Sequence, residues 1–249
     1  MDHYIKMNSL SQFNNLVLSC EHFTNTIPEE YKSLFLNADK ILETHRGWDI
    51  GANIILKYLE NTYGITPWKG EVSRLLVDLN RSIGHKNLYS EFSKVLSRAD
   101  RIAILDSYYY PYRDSFESEI IGLNPTKKQP IIHISIHSFT PIWKGLPRNA
   151  DIGILYDTSH LPEKDFSLIW KKEIASKYPE FKVRSNFPYL GKSNSFPTEL
   201  RRKYKQKYIG IELEVNQKLF ADDGKSVKNA KILHCISETL QNALTIFKA

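Results

Sequence analysis

Three short stretches of this chain each carry an apolar, strand-like run into a histidine or a carboxylate, and this pattern constrains the fold more than any other feature. They are Leu16-Val17-Leu18-Ser19-Cys20-Glu21-His22, Ile131-Ile132-His133-Ile134-Ser135-Ile136-His137 and Ile209-Gly210-Ile211-Glu212-Leu213-Glu214. Strands lying side by side in one sheet bring their ends together, and ligands of open α/β sheets bind outside the carboxyl ends of the strands. Two histidines and carboxylates gathered there, with a position open for water, form the donor set of a hydrolytic zinc site.

The intervening sequence supplies the helices such a sheet needs. A first strand at about 15–20 leads into a loop and a short helix opened by Pro28-Glu29-Glu30. Ile50, Ile54, Ile55, Leu59 and Tyr63 recur at helical spacing and predict a helix over 48–63. Gly64 stops it, and Pro67 and Gly70 turn the chain. The spacing predicts a strand over 72–79, interrupted by Arg74 and Asp78, and a long helix over 98–121 that Pro111 kinks or splits. Strands are expected at 131–137, 152–156 and 208–215, an extended piece at 181–186, and helices at 163–178, 198–204 and 226–247. Strands separated by helices imply an α/β fold: a mixed, mostly parallel central sheet with helices on both faces. No linker or repeat divides the 249 residues, so one domain over 1–249 is expected.

Composition narrows the class. A hydrophobic share of 41% and a charged share of 25% suit a folded soluble chain. No run approaches the roughly 20 apolar residues of a membrane span. Met1-Asp2-His3-Tyr4-Ile5-Lys6 lacks the apolar core of a secretory signal. Cys20 and Cys235 fall in apolar segments and read as buried thiols, so a cytoplasmic location is expected. The net charge of +6 is densest at Arg201-Arg202-Lys203-Tyr204-Lys205-Gln206-Lys207. That run, with Tyr108-Tyr109-Tyr110, is the basis for a nucleic-acid-binding alternative. A solvated helix C-terminus explains it better, because cations suit that end of the helix dipole. Neither a nucleic-acid nor a membrane partner is expected.

Individual residues carry the chemistry. His22, after the first strand, reads either as a cap or as a ligand. His133 and His137 share one strand face, and His137, at the strand end, is the better ligand. His133 reads as a satisfied core histidine or a support for the site. Glu212 and Glu214 share a face opposite Ile211, Leu213 and Val215. Buried carboxylates there require partners or a metal, unless the strand is a wet edge. Arg81 suits two parallel hydrogen bonds to a carboxylate, whether a substrate's, Asp78's or another acid's. Signatures of serine hydrolases, P-loops, dinucleotide sites and H-E-x-x-H zinc helices are missing. Nothing beside Cys20 and His22 predicts an activated thiolate.

Read together, Ser19-Cys20-Glu21-His22, His45-Arg46-Gly47-Trp48-Asp49-Ile50-Gly51-Ala52, Ser73-Arg74-Leu75-Leu76-Val77-Asp78-Leu79-Asn80-Arg81, His137-Ser138-Phe139-Thr140-Pro141, Asn186-Phe187-Pro188-Tyr189 and Ile211-Glu212-Leu213-Glu214-Val215-Asn216-Gln217 resemble the N-formylglutamate amidohydrolase family. The matches keep family order from about residue 15 to about residue 220. The resemblance implies a phosphorylase/hydrolase-like fold, related to zinc carboxypeptidases and aspartoacylase, with one catalytic divalent metal, expected to be zinc. Carried over by position, His22 and His137 become histidine ligands, Asp49 the carboxylate ligand and Glu214 the general base. Asn80 and Arg81 look like a substrate-carboxylate clamp. Arg74 is placed to polarise the carbonyl or hold a second carboxylate, and Tyr189 to line the pocket.

The implied substrate is a small acidic N-acyl amino acid such as N-formylglutamate. The alternative is a carboxypeptidase- or amidase-like zinc hydrolase acting on a peptide or cell-wall fragment. Formamide hydrolysis meets the same requirements: an activated water, a base for its proton, and positive charge beside the oxyanion. One departure matters. Formylglutamate-specific members often carry proline before the first ligand histidine, where this chain has Glu21. Glu21 is therefore either a partner of the ligands or a competitor of Asp49 for the carboxylate position.

Overall fold

The computed structural model describes residues 14–221, 224 and 226–248; the Met1–Lys6 reading lies outside them. In chain order the elements are β1 (Leu16–Cys20), α1 (Asp39–Leu42), α2 (Ala52–Tyr63), β2 (Trp68–Lys69), α3 (Arg98–Ile104), α4 (Tyr110–Gly122), β3 (Ile131–Phe139), β4 (Ile142–Trp143), β5 (Leu146–Pro147), β6 (Ile152–Leu155), α5 (Leu161–Lys177), β7 (Val183–Ser185), α6 (Phe196–Tyr204), β8 (Tyr208–Asn216) and α7 (Lys231–Lys248). Six strands form one sheet in the order β2-β1-β3-β8-β6-β7. Every neighbouring pair is parallel except β6 with β8. The α/β sheet read from the sequence is therefore present, mixed and mostly parallel.

Strand alternation divides the sheet into two unlike faces. Leu16, Leu18 and Cys20 of β1, Ile132, Ile134 and Ile136 of β3, and Ile209, Ile211, Leu213 and Val215 of β8 join one core with residues of α2, α5 and α7. On the other face, Val17, Ile131 and Tyr208 pack with Phe116 and Ile120 of α4 and Phe196 and Leu200 of α6. That second face is apolar only near the amino ends of the strands. In register, Ser19 pairs with Ser135 and Ser135 with Glu212, and His137 then pairs with Glu214. The face thus turns from apolar to polar toward the carboxyl ends.

Some local expectations change. Residues 72–79 form no strand but a buried series of turns. Ser73 Oγ accepts from Leu75 N (3.2 Å), and Asp78 Oδ1 accepts from Asn80 N (3.0 Å). Such local side-chain bonds compete with a sheet ladder, and the edge strand is instead the two-residue β2. The helix expected from residue 48 starts at Ala52, because Gly51 adopts φ +87°. A Cβ at Gly51 would also lie 2.3 Å from the Phe220 ring. Pro111 sits in the first turn of α4, directly after a π turn at Leu105–Tyr109. That wider turn absorbs the missing donor without ending the helical course. The small β4–β5 hairpin has no counterpart in the sequence reading.

The basic run is not a continuous cationic surface. Arg201 is buried on Glu163 (2.7 Å), and Lys203 pairs with Glu117. Cys20 and Cys235 are buried free thiols. Among the described residues no helix is long and apolar enough to cross a membrane.

Candidate active site

Backbone bonds gather the site at the carboxyl ends of β1 and β3. His22 follows β1, and its carbonyl accepts from Asp49 N at 3.0 Å. Ser138 Oγ, on β3, donates to Ile50 O at 2.8 Å, which fastens the turn carrying Asp49 to the sheet. His22, Asp49 and His137 are all buried, and each offers a ligand atom within 4.8 Å of the others. Asp49 Oδ2 lies 2.8 Å from His137 Nδ1 and 3.4 Å from His22 Nδ1. Ligands held at ~2.0–2.1 Å around a tetrahedral cation stand roughly 3.4 Å apart, so this spacing fits.

The outer ring nitrogens strengthen that fit. His22 Nε2 lies 2.7 Å from Asp78 Oδ1, and His137 Nε2 lies 3.2 Å from Glu21 Oε2. Both imidazoles thus turn Nδ1 toward Asp49 while a buried carboxylate braces the far nitrogen. Metal-binding histidines are characteristically oriented in this way. Glu21 also accepts from Ser19 (2.6 Å), Ser135 (2.6 Å) and Tyr112 (2.9 Å), so it stands behind the cluster as a partner. Two imidazoles and one carboxylate, buried and braced, suit a zinc-type cation with an open fourth position.

Glu214 faces the same space. Burial pushes its carboxyl up to about 8, against the pull of His137, and Asp49 adds to the rise. Its Oε2 is buried without a hydrogen-bond partner among the described residues. Burial likewise raises Glu212, whose Oε1 accepts from Ser195 Oγ at 2.9 Å. Burial opposes ionisation of Asp49, but Arg74, His22 and His137 hold its carboxyl well below the usual range.

A cavity of about 420 Å³ is lined by the His22–Asp49–His137 cluster, Glu212 and Glu214, and by Arg74, Asn80, Arg81 and Tyr189. Arg74 is paired with Asp49 and leaves its Nε unpartnered among the described residues. Arg81 bonds the Asn194 carbonyl and lies 3.6 Å from Asp78, one of the pairings the sequence left open. Asn80 places Nδ2 3.4 Å from His137 Nε2 and spends its Oδ1 on Phe196 N (2.7 Å) at the start of α6. Tyr189 stands 45% exposed at the mouth.

His133 lies deeper, hydrogen-bonded at 2.5 Å to the Tyr208 hydroxyl and at 2.7 Å to Ser19 Oγ. Burial lowers it to about 4, so it is a neutral core histidine. The sequence reading missed the brace formed by Asp78. A signal existed, since an acid between Val77 and Leu79 must find a partner once buried. It also missed Arg148 at the mouth, whose position after a short hairpin carries no pattern.

The N-formylglutamate amidohydrolase family profile matches residues 14–221. The gene product Atu2144 from Agrobacterium tumefaciens superposes with a TM-score of 0.77 at 24% identity, covering 94% of this chain and 92% of that one. The N-formylglutamate amidohydrolase from Ralstonia eutropha JMP134 superposes with a TM-score of 0.65 at 16% identity, covering 94% and 93%. No curated protein matches the chain.

Proposed function

The chain belongs to the N-formylglutamate amidohydrolase family, and we propose from that premise that it is a metal-dependent amidohydrolase of N-formyl or N-acyl amino acids, with N-formylglutamate the leading substrate. The observation that carries this reading is the buried His22–Asp49–His137 cluster beside a Glu214 oxygen unpartnered among the described residues. His22, Asp49 and His137 would hold one divalent cation, zinc by donor chemistry. When bound, the cation supplies Lewis acidity, lowering the pKa of a water from about 15.7 toward about 7.

The side chains supply the remaining steps. Glu214 Oε2 takes the water's proton as the water oxygen bonds to the acyl carbon. It returns that proton to the departing nitrogen as the C–N bond breaks, releasing formate (or another carboxylate) and a free amine. Burial raises this carboxyl, and a bound dication would draw it back toward the ionised form that accepts the proton. Arg74, anchored on Asp49, sets a guanidinium beside the developing oxyanion. Arg81 and Asn80 receive the substrate's α-carboxylate, and Tyr189 covers the mouth.

Elemental analysis of the purified chain, followed by a panel of N-formyl and N-acyl amino acids, tests the proposal. About one zinc per chain is expected, lost in His22→Ala and Asp49→Ala. Failure to hydrolyse any member of the panel with zinc, manganese or cobalt overturns it.

A further inference from the structure

Three arginines meet the cavity or its rim, and two of them already face a carboxylate of the chain. Arg74 is paired with Asp49, and Arg81 lies on Asp78. Arg148 has no carboxylate within ion-pair distance among the described residues. Its contacts are instead aromatic and neutral. The guanidinium carbon lies 5.1 Å from the ring centres of both Trp143 and Tyr189 and 5.9 Å from that of Phe139. Nη2 donates to the Tyr189 hydroxyl at 3.3 Å, and Nη1 to Thr140 Oγ1 at 3.2 Å.

This cradle holds a planar fork at the entrance while leaving its charge uncompensated. Stacking on ring faces orients the guanidinium and leaves the N–H groups not given to Thr140 and Tyr189 to donate to a ligand, a geometry a lysine would not reproduce. Trp143 and Tyr189 both line the cavity, so the fork stands at its rim. Below it the walls carry Asp49, Glu212 and Glu214. At the mouth a second substrate anion meets a cation that no carboxylate among the described residues compensates.

We propose that Arg148 reads the side-chain carboxylate of an acidic N-acyl amino acid, while Arg81 takes the α-carboxylate. This rests on the amidohydrolase reading above and names the residue that sets its preference for acidic over neutral side chains.

The test compares kcat/KM for N-formylglutamate and its neutral isostere N-formylglutamine, using metal-loaded wild type, Arg148→Met and Arg148→Lys. Wild type should prefer the acid by roughly ten- to a hundredfold, the range for a charge-assisted contact. In Arg148→Met the preference should shrink to about threefold or less, chiefly through KM, because the contact is made in ground and transition states alike. Arg148→Lys keeps the charge without the fork and should fall between. A purely structural role would slow both substrates equally and preserve the ratio. A preserved ratio in both variants, or no acid preference in wild type, overturns the assignment while leaving the amidohydrolase reading intact. No turnover of either substrate by wild type overturns the assignment, and the amidohydrolase reading falls with it only if no member of the wider panel is hydrolysed.

Discussion

Replacing Glu214 with glutamine should separate activity from stability, in opposite directions. Removing the base should lower kcat by roughly 10²–10⁴-fold, with zinc content retained because Glu214 stands outside the His22–Asp49–His137 cluster. Stability should move the other way in metal-stripped protein. Burial raises this carboxyl from 4.5 to about 8, so the folded chain holds the proton more tightly than the unfolded chain does. The wild type is then unpenalised below pH 4.5 and loses stability as pH rises to about 8, after which the loss is constant. At ~1.4 kcal/mol per unit, the penalty at pH 7 is at most about 3 kcal/mol. Glutamine does not titrate, so its advantage over wild type should grow across that window. Its buried amide adds a pH-independent cost of about 1–3 kcal/mol, which makes the slope the quantity to read. Thermal melts of both proteins between pH 5 and 9 measure it, with 1 kcal/mol corresponding to roughly 2–4 °C in Tm at this size. A Tm difference that stays flat with pH, or activity within tenfold of wild type, refutes the reasoning.

Asp78→Asn should weaken zinc binding roughly ten- to a hundredfold by slackening the brace on His22, as chelator competition would register; unchanged affinity would remove Asp78 from the site. Gly153→Ala would drive a Cβ to 1.9 Å from the Phe187 carbonyl oxygen and 3.2 Å from Glu214 Cβ. A loss of about 1–3 kcal/mol in denaturant titration is expected, and a neutral result would show that this backbone yields. Cys20 and Cys235 are buried, with burial pushing Cys235 up to about 12. Folded protein should therefore resist a thiol reagent that labels both cysteines after unfolding, and fast labelling in native buffer would contradict the packing.

How far the sequence can be read depends on the length of each pattern. β1, β3 and β8 were legible to within one or two residues because period-two runs of Ile, Leu and Val leave little choice. The same runs bring His22, His137 and Glu214 to neighbouring strand ends, and Asp49 joins them from the turn before α2. β2 and the β4–β5 hairpin, at two residues per strand, are too short for any periodicity. Residues 72–79 misled for a physical reason: turns held by Ser73 and Asp78 bury nearly every side chain of an apolar run, Arg74 excepted, much as a central strand would. The bracing roles of Glu21 and Asp78 depend on which ring nitrogen each histidine turns outward, and spacing along a chain does not encode that.

The two-sided character of β3 has an evolutionary consequence. Ile132, Ile134 and Ile136 face one way while His133, Ser135 and His137 face the other, so folding and chemistry draw on alternate letters of the same nine residues. Drift in the isoleucines tunes how well the scaffold holds, and drift in the loops above the strand ends tunes what is cleaved. A single-residue insertion within the strand exchanges the two sets beyond it unless a bulge absorbs the extra residue. Lineages carrying this strand should therefore vary freely in the lengths of the loops around it and scarcely at all in the length of the strand.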